Sequence, residues 1–418
     1  MRFDLATLDN GLKLVGLRLA GARSVSLGFW IGTGSQYEAP EEGGLSHLIE
    51  HMAFKGTEKY TTRRIAEEMD AVGGHLNAFT SKECTCFYTR VVEDRLELAM
   101  DVLSEMVIRP RFDPAELEKE RGVVLEEIAM CEDTPEDLVY ELLMQAHFGD
   151  QPIARPILGT GEAIEGYSDR DIRGYWRRTY SPVNTVLAVA GAYDWDRVTA
   201  LAEQYCGEWR AEAFERRTVH TGPAVPGILW RERDIEQVHI CLGLPGLPYV
   251  DDDIHELALL CGVLGGSMSS RLFQRIREDT GAAYTVYSSE NDYTDCGMLS
   301  VYAATAPKNA DRVLSMLFEE LRLLAKDGIT RREFAMAREQ IKADYILSLE
   351  STSARMQSIG RRLLLLGETK TEDQVLERID RIDFDKVNAL AARFLNAPCS
   401  VAVVGEDAEA LAVRAGRR

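Results

Sequence analysis

Long hydrophobic runs are absent from this chain. Its apolar stretches are interrupted well before the roughly 18 residues that a membrane-spanning helix needs, so we expect no membrane span. Residues 1–11 also lack the apolar core of a secretory signal and the Arg/Ser-rich pattern of an organellar one, so no leader is visible. The hydrophobic content of 45% is nevertheless ordinary for a folded globular protein.

Positive charge is in short supply. The chain has 48 Lys and Arg against 68 Asp and Glu, which gives a formal net charge of −20. This balance argues against nucleic acid binding, because phosphates attract a basic surface. An acidic surface favours basic partners instead, although it serves solubility equally well.

Paired cysteine motifs are missing as well. The eight cysteines include no C-x-x-C pair, and only Cys84 and Cys86 are close together. Two residues apart in a predicted strand, they share one face, and we interpret them as small packed thiols and not as metal ligands. Unpaired cysteines of this kind predict a reducing, cytoplasmic location.

Histidine is scarce, with only seven residues, yet two of them lie four apart in the apolar stretch Gly43–Gly56. His47, Glu50 and His51 share one face of a helix at 3.6 residues per turn. Two neutral imidazoles one turn apart can hold Zn²⁺, and a neighbouring carboxylate held off the metal can deprotonate a water. H-x-x-E-H is the inverted zinc-peptidase signature, but an amphipathic helix with merely hydrogen-bonded histidines also explains it, so a third ligand is needed.

That ligand would come from a glutamate-rich helix predicted to run from about Pro114 into the 140s. Glu120 and Glu127 are seven residues apart, two turns along one face, and flank the apolar run Val123–Leu125. A carboxylate at either position would complete a tetrahedral site of His, His, Glu and water. Sequence spacing does not choose between them.

The length of 418 residues predicts two or more domains. A polar, Pro- and Gly-bearing segment precedes the second half of the chain, which places a linker at residues 213–226. We therefore expect a first domain of residues 1–212 and a second of residues 227–418.

The second half repeats the pattern of the first. Val238–Tyr249 matches Val25–Tyr37 in pattern, and the two tyrosines give an offset of 212 positions (249 minus 37). At that offset the three motif residues face positions without ligands: Leu259, Gly262 and Val263. Two similar domains with chemistry in only one suggest that the second supplies the other wall of a cleft.

A glycine-bearing strand is predicted at Gly73–Thr80, paired with residues 84–90. As an edge strand it would be either an ordinary protected edge, which composition favours, or an edge open to peptide pairing. We interpret His75 as a strand residue without a special role. Farther along, we expect one long helix over Arg331–Leu365 and a frayed tail after Gly405.

Taken together, these motifs resemble the M16 metallopeptidases, or inverzincins, which include the mitochondrial processing peptidase β subunit, its single-chain bacterial relatives and the larger pitrilysin and insulysin enzymes. Residues 47–57 are similar to the processing-peptidase form of the motif, and the resemblance covers nearly the whole chain. It implies an α+β fold with two similar domains, each a mainly antiparallel sheet covered by helices, which face each other as half of a clamshell.

The resemblance also implies roles for particular residues. The third zinc ligand of the family lies about 76 residues past the second His, which selects Glu127 (127 minus 51), and Glu120 matches a family Glu that supports a zinc-bound His. Arg277 and Tyr284 look like an Arg/Tyr pair that reaches the bound peptide. Four residues match the family's edge strand that pairs with substrate: Asn77, Ala78, Phe79 and Thr80. The resemblance therefore favours a peptide-binding edge over the protected edge that composition alone favours.

We therefore predict a zinc endopeptidase with one Zn²⁺ per chain, held by His47, His51 and Glu127, with Glu50 as general base. Tyr284 would donate to the oxyanion and Arg277 would anchor the substrate. Expected substrates are extended or unfolded peptides, including leader-like ones with basic residues, and the resemblance implies a homodimer. The alternatives are a non-catalytic scaffold subunit, related to the respiratory-complex core proteins, and a small-molecule hydrolase of the S-ribosylhomocysteinase kind.

Overall fold

Two compact units make up the structure, a computed structural model that describes residues 3–210, 214 and 217–417. Its strands within those residues are β1 (Asp4–Thr7), β2 (Lys13–Arg18), β3 (Ser24–Ile31), β4 (His75–Thr80), β5 (Thr85–Val92), β6 (Thr185–Gly191), β7 (Ile228–Glu232), β8 (Val238–Pro245), β9 (Thr285–Asp292), β10 (Gly297–Thr305) and β11 (Ser400–Gly405). Its α-helices are α1 (Leu45–Ala53), α2 (Thr62–Asp70), α3 (Leu96–Ile108), α4 (Pro114–Asp133), α5 (Pro135–Phe148), α6 (Gly161–Gly166), α7 (Asp169–Thr179), α8 (Trp195–Cys206), α9 (Ile254–Gly265), α10 (Ala310–Asp327), α11 (Arg331–Ser348), α12 (Thr352–Leu366), α13 (Glu372–Asp380), α14 (Phe384–Phe394) and α15 (Ala408–Ala415).

Each unit is built on one mixed sheet with the same topology. In unit 1 the strand order is β1-β2-β6-β3-β5-β4, and in unit 2 it is β7-β11-β8-β10-β9. All neighbours are antiparallel except β2 with β6 and β7 with β11. Apart from the additional β1, the two orders correspond strand for strand. The expected α+β fold with two similar, mainly antiparallel sheets is therefore confirmed.

In unit 1, helices cover both faces of the sheet, so β3 is buried at nearly every position. Alternate β3 residues enter one core with α1 and α3: Val25, Leu27, Phe29 and Ile31. On the opposite face Trp30 packs against α12, and its indole nitrogen lies 3.4 Å from the sulfur of Met356. A Cβ at Gly360 would lie 2.3 Å from that nitrogen, so this approach of α12 requires glycine.

Unit 2 repeats this arrangement with α5 in the place of α12. One face of its sheet shares a core with α9, α10 and α14, and the other packs against α5 through residues such as Leu143 and Phe148. Leu259 and Val263 are buried in α9, so the repeat keeps the helix and replaces two of the motif positions with core residues. The repeat predicted from sequence therefore extends to this helix.

Each unit takes in one segment from the opposite half of the chain. Unit 1 includes Ile346–Glu372, which contains α12, and unit 2 includes Ala129–Arg155, which contains α5. The expected division into residues 1–212 and 227–418 places α5 in the first domain and α12 in the second. Within the expected linker 213–226, positions 213, 215 and 216 lie outside the described residues.

Two of the expected helices are interrupted. The helix expected from Pro114 into the 140s ends at Asp133, and α5 begins at Pro135, because proline disfavours a helical conformation at the residue before it. The helix expected over Arg331–Leu365 is likewise two helices, and Ser351 caps the second by accepting a hydrogen bond from the Ala354 N–H. Both single-helix predictions were wrong.

The segment after Gly405 is also ordered, contrary to the frayed tail that we expected. It forms α15, in which Leu411 and Ala412 are buried in the core of unit 2. Cys84 and Cys86 lie together in one core of unit 1, as their spacing predicted, and no disulfide joins any of the described cysteines. None of the described helices is both long and apolar enough to cross a bilayer.

A buried histidine in unit 2 predicts that the stability of the folded protein depends on pH. His147 on α5 is fully buried, its Nδ1 lies 2.9 Å from Ser400 Oγ, and burial lowers the pKa of its imidazole to about 4. In the unfolded chain the imidazole takes up a proton at about pH 6.5, whereas in the folded protein it does so only near pH 4. The free energy of unfolding is therefore unaffected above pH 6.5 and decreases as the pH falls towards 4. We expect the loss to reach about 3 kcal/mol near pH 4.

Thermal unfolding of the metal-free protein at pH 7.5 and pH 5.0 measures this effect. His147→Gln should show a smaller fall in midpoint between the two pH values than the wild type. His75→Gln is the control, because His75 is exposed on β4. An equal fall in wild type and His147→Gln would contradict the assignment.

Candidate metal centre

The motif helix α1 is fixed at its N-terminus by a buried carboxylate. Its N-cap residue is Gly44, at φ 88°, which has no side chain to accept a hydrogen bond from the first turn. Glu38 replaces that acceptor: its carboxylate accepts the N–H of Gly44 at 2.8 Å and of Ser46 at 2.7 Å. Burial raises the pKa of Glu38 to about 7, and these two hydrogen bonds oppose the shift.

The helix brings the two histidine rings together, as the spacing predicted. The ring centroids of His47 and His51 are 4.5 Å apart, and His47 is only 6% exposed. Burial lowers the pKa of His47 to about 4, and the nearby His51 adds to the shift. His47 is therefore a neutral imidazole at physiological pH, which is the form that binds a metal ion.

The helix α4 supplies Glu127 to the same point. Glu127 Oε2 lies 3.6 Å from His47 Nε2 and 3.4 Å from His51 Nε2. One ligand atom from each of the three residues lies within 4.8 Å of the others. Tetrahedral ligands at about 2.0–2.1 Å from Zn²⁺ are separated from one another by roughly 3.4 Å, so this donor set fits a zinc ion.

Glu120 occupies a different position, on the opposite side of the His51 ring. Its Oε1 lies 2.9 Å from His51 Nδ1, and its Oε2 lies 2.6 Å from Lys55 Nζ. Hydrogen bonds to His51 and Lys55 lower the pKa of Glu120 although its burial opposes them. Glu120 therefore orients the ring and leaves Nε2 free to face Glu127, which distinguishes the two glutamates that spacing could not separate.

Glu50 lies on α1, as His47 and His51 do, and contacts the edge strand β4. Its Oε2 accepts a hydrogen bond of 2.6 Å from Thr80 Oγ1, and burial raises the pKa of Glu50. Thr80 ends β4, the last strand of the unit 1 sheet as described, which pairs with β5 on one side. The strand also contains the other three predicted substrate-binding residues: Asn77, Ala78 and Phe79.

Arg277 and Tyr284 lie in unit 2 and contact each other. The guanidinium carbon of Arg277 lies 4.4 Å from the centroid of the Tyr284 ring and 4.7 Å from that of Phe273. Tyr284 is 72% exposed. The stacking holds the two predicted side chains as one cationic and aromatic pair at the surface of this unit.

Comparisons with known proteins connect these residues to a family. The family model described as insulinase (peptidase family M16) matches residues 15–161, and the peptidase M16 inactive domain matches residues 168–341. The uncharacterized zinc protease YmxG of Bacillus subtilis is 41% identical over 402 residues, which cover 95% of this chain and 97% of that protein. The chain belongs to peptidase family M16.

Further similarities support the placement of this M16 peptidase. An uncharacterized zinc protease of Mycobacterium leprae is 40% identical over 405 residues, 96% of this chain and 91% of that protein. In fold, the chain matches a protease from Helicobacter pylori with a TM-score of 0.91 at 20% identity, over 97% of this chain and 99% of that one. An M16 inactive-domain structure from Pseudomonas fluorescens gives 0.89 at 19% identity, over 97% and 98%.

Family membership and the His47, His51 and Glu127 cluster make this M16 member a zinc metallopeptidase. Two residues of the centre, Glu38 and Lys55, had no role predicted from the sequence. A signal for the first was present, because a helix that begins at Gly43-Gly44 needs an acceptor from elsewhere in the chain. Lys55 lies just beyond the end of α1 at Ala53, and its Nζ contacts Glu120.

Proposed function

We propose that this M16 peptidase is an endopeptidase that cleaves extended peptides, with His47, His51 and Glu127 as the zinc ligands. The observation that supports the proposal is that the Nε2 atoms of His47 and His51 converge on Glu127. Glu50, on the same helix α1 as the two histidines, does not belong to this cluster. When bound, Zn²⁺ supplies a Lewis acid that polarises a carbonyl oxygen and acidifies water.

The chain's own groups supply the proton transfers and the orientation of the ligands. Glu50 takes the proton of the attacking water and passes it to the leaving amine, for which a partly buried carboxylate with a raised pKa is suited. Glu120 holds the ring of His51 through Nδ1, and Lys55 holds Glu120.

The proposed substrate is an extended or unfolded segment, and β4 supports this. A peptide that adds to the open edge of β4 would pair through its backbone, so the sequence requirement is loose. The net charge of −20 favours peptides with Arg or Lys, as leader-like sequences have. Arg277 and Tyr284 are proposed to bind peptide as well, through a cation and an exposed phenol.

Two further proposals concern the partner and the compartment. We propose a homodimer, which the likeness to single-chain bacterial M16 proteins implies. Eight cysteines that form no disulfide within the described residues support a reducing, cytoplasmic compartment.

The experiment is digestion of an unstructured peptide that contains one internal Arg, alongside its Arg→Ala counterpart. We expect internal cleavage, loss of activity with a chelator and recovery with Zn²⁺. The Ala peptide should lose about tenfold in kcat/KM, equivalent to roughly 1.4 kcal/mol for one charged contact. Release of single terminal residues would contradict endopeptidase cleavage, and equal rates on both peptides would contradict the preference for Arg.

The same assay separates the alternatives considered from sequence. A scaffold subunit would bind peptide without turnover, even with zinc present. A small-molecule hydrolase would turn over a thioether substrate and leave the peptide intact.

A further inference from the structure

The hydroxyl of Thr80 is directed at the carboxylate of Glu50. The distance from Thr80 Oγ1 to Glu50 Oε2 is 2.6 Å, which is short for a hydrogen bond and typical of one to a charged oxygen. Thr80 is the donor, because an ionised carboxylate only accepts. The family resemblance predicted a substrate-binding residue of the edge strand at this position, and gave no indication of this contact.

The neighbouring threonine leaves the Thr80 proton available for Glu50. Thr85, the partner of Thr80 in the β4–β5 ladder, donates its own hydroxyl proton to the carbonyl of Thr33 at 3.0 Å. The two threonine oxygens are 3.4 Å apart, near the limit of a hydrogen bond. Thr85 thus donates elsewhere, and the much shorter distance assigns the Thr80 proton to Glu50.

We propose that Thr80 is a positioning residue for the general base: its hydroxyl holds one oxygen of Glu50 and so aims the other at the attacking water. This inference rests on the proposed function, in which Glu50 is the base. A glutamate side chain has three rotatable bonds, and a base displaced by about 1 Å loses up to about 10²-fold in rate. A single fixed oxygen removes most of that freedom.

The same residue would couple peptide binding to the orientation of the base. Thr80 lies in β4 and pairs with β5 on one edge, and the proposed peptide would pair on the other. A bound peptide therefore immobilises the strand that carries the Thr80 hydroxyl. The peptide would then keep the Thr80 hydroxyl, and with it Glu50, in the position that the 2.6 Å hydrogen bond already sets.

Two substitutions at Thr80 separate its hydroxyl from its shape. Thr80→Val keeps the volume and the strand propensity but removes the donor, whereas Thr80→Ser keeps the donor. We expect Thr80→Val to lower kcat by about 10 to 100-fold, with little change in KM, and Thr80→Ser to recover most of it. Thr62→Val is the matched control, since Thr62 is exposed on α2.

Zinc affinity and the thermal midpoint show whether the effect is only structural. Chelator competition should give the same zinc affinity for wild type, Thr80→Val and Thr80→Ser, because the ligands are untouched. A crystal structure of Thr80→Val should show Glu50 turned away from its wild-type position. Wild-type kcat in Thr80→Val, or a loss of kcat that parallels a loss of zinc, would overturn the inference.

Failure of this inference can be told apart from failure of the proposed function. If Glu50→Gln retains normal turnover, then Glu50 is not the base and both proposals fall. If Glu50→Gln is inactive while Thr80→Val has wild-type kcat and Glu50 in its original position, only the role of Thr80 is wrong.

Discussion

Glu50→Gln is expected to lower kcat for an unstructured peptide by about 10²–10⁴-fold while the protein keeps its zinc. The amide has the shape of the carboxylate and can still accept the Thr80 hydrogen bond, but it cannot take a proton from water. Zinc should be retained because Glu50 lies outside the cluster of His47, His51 and Glu127. Steady-state kinetics and metal analysis of the same preparation measure both quantities.

Glu41→Gln is a suitable control for this experiment. Glu41 is an exposed residue just before α1, so the variant makes the same change of charge without touching the cluster. It should cleave the peptide at the wild-type rate. If Glu50→Gln turned over peptide normally, another group would have to be the base, and a loss of zinc in Glu50→Gln would instead indicate a role in metal binding.

Local periodicity is the reason that half of the centre was predictable from the sequence. His47, Glu50 and His51 lie within one helical turn or so, and the pitch of a helix alone brings them to one face. The third ligand is different, because it arrives on another helix. Spacing left Glu120 and Glu127 equivalent, and the family resemblance selected Glu127.

What the sequence could not show is set by contacts between distant segments. Glu120 and Glu127 share a face of α4, yet one meets Nδ1 of His51 and the other meets Nε2, and only the packing of α4 against α1 decides this. Glu38 accepts the backbone N–H groups of Gly44 and Ser46: the glycines that begin the helix indicate that an acceptor is needed, but not which residue supplies it.

The exchange of helices between the units has a similar origin. The sheets of the two units have alternating or continuous apolar strands that identify a buried face, but not the helix that covers it. In unit 1 that helix is α12, which the chain reaches more than three hundred residues after β3. A division of the sequence into consecutive domains has no means of representing such an exchange.

Glu127→Gln and Glu120→Gln should differ in a way that tests the geometry of the centre. Glu127→Gln replaces a charged ligand oxygen with a neutral amide, so we expect most of the zinc to be lost during dialysis and cleavage to fall with it. Glu120→Gln leaves all three ligands in place and should cost about 10 to 100-fold in zinc affinity or activity. Chelator competition, with metal content measured after dialysis, ranks the two variants.

Glu126→Gln provides the control, because Glu126 is exposed on the same helix and next to the proposed ligand. It should bind zinc as the wild type does, which shows that a lost charge on α4 is not sufficient. The test is which of Glu127→Gln and Glu120→Gln loses more zinc. A larger loss in Glu120→Gln would mean that the metal lies at the Nδ1 side of His51. Equal and negligible losses would leave His47 and His51 without a third protein ligand, and the proposed catalytic centre would no longer hold.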